Sequence, residues 1–292
     1  MDFKIQNYLP FVFTSLFLIA VNFILGQNTT LKLYIFSAVV LIGGLPHGAL
    51  DFFILKKRYS GKKFLLSLLI YLLIALSVFV LFYTNPLIIF ILFLFYSAFH
   101  FGDSDFSNDP MISRLGWGSI IILLPLSLSS SEAVSFISLF VQDVKTLNSM
   151  PLFIVTIISF FLCIYPRKGR KSKILLCSIY IVTIFFSNIY FAFASYFAAM
   201  HSVHHLKSWI PKLEAKTAPL LFLITLIVLL SVGLQIGFKI IQAPDQIISM
   251  EQNAVYTAIT MLGALTVPHM ILIKMIGKGD IILLSLRRAR KA

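Results

Sequence analysis

A stretch without a single charge, FLLSLLIYLLIALSVFVLFY at residues 64–83, decides the class of this protein. It has the length that a helix needs to cross a hydrocarbon core of about 30 Å. Similar runs recur along the chain, in which hydrophobic residues make up 59% and charged residues only 12%. Ordinary soluble domains carry about 25% charged residues. Because a soluble protein could not bury so much apolar surface, the composition predicts an integral membrane protein.

The apolar pattern predicts an all-α transmembrane bundle of about 8–10 membrane segments, in one integral membrane domain over residues 1–292. The fifth segment contains Pro125 and a serine-rich stretch, which predicts a break or a re-entrant turn. Ser187 and Asn188 are the expected turn between the seventh and eighth segments. The first segment lacks a cleavage signature and is expected to be a retained helix. The ten segments are 9–26, 31–55, 64–83, 86–102, 117–141, 150–165, 174–188, 190–206, 218–238 and 253–276.

The basic residues lie almost entirely on one side of this predicted bundle. They follow even-numbered segments, and only Lys32, Lys145 and Lys239 fall on the opposite side. The positive-inside rule therefore predicts cytoplasmic termini and a multi-pass protein of the cell membrane. The same loops account for the net charge of +13 without a nucleic-acid partner. Cys163 and Cys177 provide neither a disulfide framework nor a CxxC pair.

All six histidines lie at or near the cytoplasmic ends of segments two, four, eight and ten. They are His47, His100, His201, His204, His205 and His269. An ionisable group in hydrocarbon is costly and usually faces the bundle interior with a partner. For a single histidine, a neutral ring bonded to a neighbouring helix is an adequate explanation. Because neutral imidazole is the commonest protein ligand for transition metals, six histidines at one depth predict a metal site.

The spacing of the histidines indicates which of them act together. His201 and His205 stand four residues apart, on one helix face, and both can reach one ion. His204 points about 100° away from His205, toward a different neighbour. Asp51, one turn beyond His47, either accepts the second ring N–H of that histidine or ends the helix near the interface.

Acidic and aromatic residues flank the histidines. Asp103 and Asp105 follow His100 and are either carboxylates behind a metal ligand or residues that end the segment. Most of the 29 phenylalanines are expected to face lipid or to pack. Six flanking aromatic residues are candidates for lining a channel for a long apolar substrate: Phe52, Tyr96, Phe99, Phe101, Tyr196 and Phe197.

Four short motifs carry a resemblance to a known family. They are GLPHGALD (44–51), FHFGDSD (99–105), HSVHHL (201–206) and VPHM (267–270). In this order they resemble the membrane β-carotene 15,15′-dioxygenases, the bacterio-opsin-related proteins and their bacterial homologues that accompany microbial rhodopsins. The resemblance spans segments two to ten.

The resemblance implies an iron(II) enzyme that uses O₂ to cleave β-carotene at its central double bond, giving two molecules of all-trans-retinal. It also implies possible delivery of the retinal to a microbial rhodopsin. No catalytic acid or base is expected beyond the metal centre. Carried over by position, the iron ligands are His47, His100, His201 and His205. Alternative ligands, or residues behind the ligands, are His204, His269, Asp51 and Asp103.

Two other functions remain open from the sequence alone. A membrane di-iron hydroxylase or desaturase acting on a lipid or carotenoid uses the HxxHH pattern found at 201–205. Such enzymes need about eight histidines, however, whereas this chain has six. A metal or proton transporter could use histidine and aspartate as a relay, but the chain has no evident inverted repeat.

Overall fold

The computed structural model describes residues 8–140, 146–210, 220, 223, 225–227, 230 and 250–289, apart from the side chains of 45, 47, 209, 250, 251 and 276–289. The regular elements of these parts are all helical. They are α1 Leu9–Leu25, α2 Thr29–Arg58, α3 Gly61–Thr84, α4 Pro86–Asp105, α5 Met111–Leu128, α6 Ser130–Ile137, α7 Ser149–Ile164, α8 Arg170–Phe186, α9 Ile189–Tyr196, a π-helical turn Phe197–Ser202, α10 Val203–Trp209 and α11 Met250–Ala289. The prediction of an all-α membrane bundle is confirmed.

Five of the described helices are long and apolar enough to cross a membrane. These are Thr29–Arg58, Gly61–Thr84, Pro86–Asp105, Met111–Leu128 and the part of α11 over Gln252–Met275. The helices α1 and α7 are apolar but shorter. The predicted ninth segment, 218–238, lies largely outside the described residues. The cytoplasmic position of the termini stays a prediction.

Both predicted interruptions are present. The fifth segment divides into α5 and α6 at Ser129, four residues after Pro125. The seventh and eighth segments divide at Ser187 and Asn188, because Asn188 caps the start of α9. Its side-chain oxygen accepts a hydrogen bond from the backbone N–H of Phe191 at 2.8 Å. This bond satisfies one of the backbone donors that a helix start leaves open.

Close packing of α4 against α5 depends on two glycines. A Cβ atom on Gly102 would collide with the carbonyl group of Arg114, and one on Gly118 with that of Ala98. Small residues allow helix backbones to approach closely in membrane proteins. The contact brings the end of α4 beside the first turns of α5, which supply a partner for Asp105.

A buried lysine fixes the segment that follows α4. Lys173, fully buried at the start of α8, forms an ion pair with Asp109. It also donates hydrogen bonds to Ser113 Oγ at 2.6 Å and to the carbonyl oxygen of Cys163 at 2.9 Å. A buried charge is tolerated when it is paired and hydrogen-bonded in this way. These contacts tie α5, α7 and α8 together next to Asp105.

Candidate metal centre

Four histidine rings from separate elements lie next to one another inside the bundle. His100 comes from α4, His201 from the π-helical turn, His205 from α10 and His269 from α11. All four are buried. The ring centroids of His100 and His201 are 5.0 Å apart, those of His100 and His269 5.4 Å, and those of His205 and His269 4.8 Å.

These distances suit rings that share one ion. A nitrogen–metal distance of about 2.1 Å would place neighbouring ring centroids roughly 4.6–5.3 Å apart. The His100–His201 and His205–His269 distances lie within this range, and the 5.4 Å between His100 and His269 slightly exceeds it. The buried Nε2 atom of His100 has no hydrogen-bond partner among the described residues, which is costly unless a ligand satisfies it. Yet no three described His, Cys, Asp or Glu side chains form a metal site as they stand. The donor chemistry fits a transition metal, and the ligand set stays a prediction.

A buried carboxylate supports His201. Asp105 Oδ1 lies 3.1 Å from the Nδ1 atom of His201. The other oxygen, Oδ2, accepts hydrogen bonds from Trp117 Nε1 at 2.9 Å and from the Tyr196 hydroxyl at 2.6 Å. Since an ionised carboxylate only accepts hydrogen bonds, Nδ1 of His201 carries the proton. The lone pair at Nε2 is then available to a metal, as in carboxylate–histidine–metal arrangements.

A second carboxylate supports His269 in the same manner. The Nδ1 atom of His269 lies 2.8 Å from Oδ1 and 3.0 Å from Oδ2 of Asp51. The Tyr71 hydroxyl donates to Oδ2 of Asp51 at 2.8 Å. The proton of His269 is therefore also assigned to Nδ1, and Nε2 is then the nitrogen that could bind a metal.

The π-helical turn determines where His201 lies. Such turns occur mostly as short interruptions of α-helices and are frequent at functional sites. Glycines of α2 make room for it, because a Cβ atom on Gly43 would collide with Ala198 and one on Gly44 with the Phe197 ring. Phe197 in turn stacks on the His201 ring, with 5.8 Å between centroids and 20° between planes. Nothing in the sequence pattern predicted this turn.

Comparison with known proteins assigns the chain to a family. The family model described as β-carotene 15,15′-dioxygenase matches residues 37–277, which contain all four histidine motifs. The chain belongs to this family. A β-carotene 15,15′-dioxygenase from uncultured marine bacterium 66A03 is 30% identical over 260 residues, which cover 82% of this chain and 92% of that protein. No solved structure matches the chain. The resemblance inferred from the motifs is confirmed.

The predicted histidines of this β-carotene 15,15′-dioxygenase family member divide into three groups. His100, His201 and His205 lie in the ring cluster together with His269, which the sequence had given as an alternative ligand. His204 is exposed, on a different face of α10 from His205. The side chain of His47 lies outside the described residues, although its backbone belongs to α2.

In the described part of the structure, the acidic residues have partners on other helical elements that local spacing did not suggest. Asp51, expected behind His47, lies against His269. Asp103 instead forms an ion pair with Arg114 of α5. Asp105, which the sequence left open as a supporting carboxylate or a helix end, is the partner of His201.

Three of the six predicted channel residues surround His201. The ring centroids of Phe101, Phe197 and Tyr196 lie 4.8, 5.8 and 6.3 Å from its own. Tyr96 and Phe99 instead line a groove between α3, α4 and α11. Phe52 packs on neighbouring phenylalanine rings of α2 and α3.

Proposed function

We propose that this protein is an iron(II)-dependent oxygenase of the cell membrane that cleaves β-carotene at its central 15,15′ double bond with O₂. The products are two molecules of all-trans-retinal. Family membership supports β-carotene as the substrate and its 15,15′ double bond as the bond that is cleaved. The names of the family model and of the relative both state them. The buried cluster of four imidazole rings is the observation that carries the proposed metal centre.

The iron would be held by His100, His201, His205 and His269, with His47 as a further candidate from its motif. Imidazole is a suitable ligand for iron, and a set of neutral ligands adds no charge that would favour oxidation to iron(III). Iron(II) with open coordination positions would activate O₂. The hydrocarbon substrate has no group that could do so itself. In the overall reaction the central C=C bond breaks and each of its carbons gains one oxygen atom of O₂. Atoms and electrons balance without another reductant.

The side chains around the centre orient the histidines and exclude water. Asp105 and Asp51 each hold an Nδ1–H, so that Nε2 of the same ring is turned into the centre. Phe101 and Phe197 cover the ring of His201 with apolar surface. A dry, apolar wall protects reactive species from side reactions with water. No group among these needs to transfer a proton to break the carbon–carbon bond.

The membrane location suits the substrate. β-Carotene is a hydrocarbon dissolved in the bilayer, and a centre between apolar helices is reached without passage through water. Retinal released into the same bilayer could be delivered to a microbial rhodopsin there. Cells that make both proteins should lose the retinal of the rhodopsin when this gene is deleted and no external retinal is given.

The test is expression of the protein in cells that accumulate β-carotene, with chromatography of the carotenoids and iron analysis of the purified protein. We expect loss of β-carotene, retinal as the sole product and a single iron per chain. Apocarotenals longer than retinal would contradict central cleavage. Hydroxylated carotenoids with two irons would favour the di-iron alternative. Undiminished β-carotene beside a folded, iron-loaded protein would contradict the proposal.

A further inference from the structure

An aromatic pocket lies beside the histidine cluster, toward the end of the bundle where α4 begins. Side chains of α2, α4, α5, α6, α9 and α11 surround it, and the lining is almost entirely apolar. Its aromatic members are Phe36, Phe90, Phe93, Phe136, Tyr190 and Phe193. The gaps between the rings are narrow, so that a bulky guest would require some rings to turn.

The pocket lies on the same helix faces as the histidines. On α4, Phe93 and Ser97 line the pocket seven and three residues before His100, a spacing that repeats on one face. Beside it, Phe193 of the pocket stacks on Phe197, with centroids 5.7 Å apart and planes 8° apart. Phe197 stacks in turn on His201. The ring of Phe197 therefore lies between the pocket and His201, and the near end of the pocket is about one helical turn from His100.

The distance from the far end of the pocket to the histidine centre matches half of a carotenoid. Phe90 stands ten residues before His100, a rise of about 15 Å along the helix. From its central carbon to its ring, β-carotene has nine bonds, about 11 Å at the ~1.2 Å per bond of an extended chain, and the ring brings this to ~15 Å. Packed rings close the far end, where Phe90 stacks on Phe140 at 4.4 Å between centroids and Phe136 contacts Tyr190 at 5.9 Å.

A single hydroxyl group stands at the other end of the pocket. Ser97 is 1% exposed, and its Oγ atom has no hydrogen-bond partner among the described residues. It lies about one helical turn from His100, at the end of the pocket nearer the centre. A buried hydroxyl group without a hydrogen-bond partner is costly. This indicates that an oxygen atom of a ligand accepts a hydrogen bond from it.

We propose that this pocket binds one arm of the carotenoid and that its depth places the central double bond at the histidine centre. The flat rings contact the conjugated chain, and the closed end stops the terminal ring of the substrate. After cleavage, Ser97 donates a hydrogen bond to the carbonyl oxygen of the retinal that occupies the pocket. This assignment rests on the function proposed above.

The experiment changes the depth of the pocket in cells that accumulate β-carotene. Ile189→Phe adds volume to the lining and Phe136→Ala removes it, so each shifts the chain relative to the centre. We expect both variants to form an apocarotenal longer than retinal, with retinal reduced several-fold. Ser97→Ala should keep retinal as the product and weaken the binding of added retinal to the metal-stripped protein about tenfold, the loss of one hydrogen bond. The control is Phe191→Leu, a fully buried position of α9 outside the pocket lining, which should form retinal alone.

Binding to the metal-stripped protein gives a readout independent of turnover. After chelation, purified protein should retain β-carotene, detected by its absorption, while Ile189→Phe retains several-fold less and Phe191→Leu the same amount. Leu126→Phe, a second substitution that fills the lining, replaces Ile189→Phe if that variant fails to accumulate. Retinal alone at the wild-type rate, or undiminished binding, in the filled variant would overturn the pocket assignment. A wild-type protein that forms no retinal contradicts the proposed function instead, whatever the variants do.

Discussion

The carboxylates of Asp105 and Asp51 support histidines of the same centre but are held by different kinds of donor. Asp105 accepts from an indole N–H and a phenol O–H, of Trp117 and Tyr196, in addition to His201. The side chain of Asp105 is fully buried. An indole N–H can only donate, so one of the neighbours of Asp105 requires an acceptor at all times.

Asp51 has neighbours that can adapt. Besides His269 it accepts from the hydroxyl of Tyr71, which also lies 3.4 Å from the carbonyl oxygen of Leu265. A hydroxyl group can both donate and accept. An uncharged amide at position 51 could therefore keep an oxygen toward His269 and turn its NH₂ group toward Tyr71. At position 105 the NH₂ group of the same amide would face the indole N–H of Trp117, and two donors cannot bond to each other. The comparison predicts that the Asp105 side tolerates change less well.

Removal of a histidine ring from either side should have the largest effect. We expect His201→Ala and His269→Ala each to lower retinal formation more than about hundredfold, because loss of a ligand exceeds the 10–100-fold cost of losing its supporting partner. Iron content of the purified proteins should fall as well. The matched control is His204→Ala, which removes an exposed ring and should leave both quantities near wild type. A fully active, iron-loaded His269→Ala protein would mean that His269 and Asp51 do not serve the metal centre. Only the pair of His201 and Asp105 would then remain in it.

Neutral substitution of the two carboxylates should have an intermediate and unequal effect. We expect Asp105→Asn to lower activity about 100-fold and Asp51→Asn about tenfold, the two ends of the range for such partners. Retinal formation at equal membrane abundance measures both.

A second substitution checks the reason for this difference. Trp117→Phe removes the donor that conflicts with the amide and should restore part of the activity lost in Asp105→Asn. Equal losses at the two positions, without such rescue, would mean that charge and not donor geometry sets the cost.

Removal of the two phenol hydroxyls should have the smallest effect. Tyr196→Phe loses a 2.6 Å hydrogen bond at a fully buried position and should destabilise the protein by about 1–2 kcal/mol. Tyr71→Phe should cost less, about 0.5–1 kcal/mol, because Asp51 keeps both contacts with His269. Thermal unfolding in detergent measures the order. A larger loss in Tyr71→Phe would reverse the comparison.

Much of the helical organisation was predictable because it depends on local composition. Uncharged runs long enough to cross a membrane indicate helices wherever they occur, since lipid leaves no other partner for backbone groups. The break after Pro125 and the cap at Asn188 were predicted for the same local reasons. The π-helical turn was not, because it depends on the fit of Phe197 and Ala198 against the glycines of α2.

The supporting acids show where local reasoning ends. Spacing along one helix favoured Asp51 as the partner of His47 and could not separate Asp103 from Asp105. In the structure, Asp51 pairs with a histidine 218 residues away and Asp105 with one 96 residues away. Asp103 pairs with Arg114. Such pairings depend on which helices are neighbours, which hydrophobic periodicity does not reveal.

The sequence by itself determined that this is a helical membrane protein of the β-carotene 15,15′-dioxygenase family. Hydrophobic length and short motifs contain that information directly. Only the tertiary structure decided that His269 joins His100 and His205, that Asp105 and Asp51 stand behind the rings, and that an aromatic pocket lies beside them. These features require side chains from helices far apart in the chain to meet, and close packing of the helices determines which of them do.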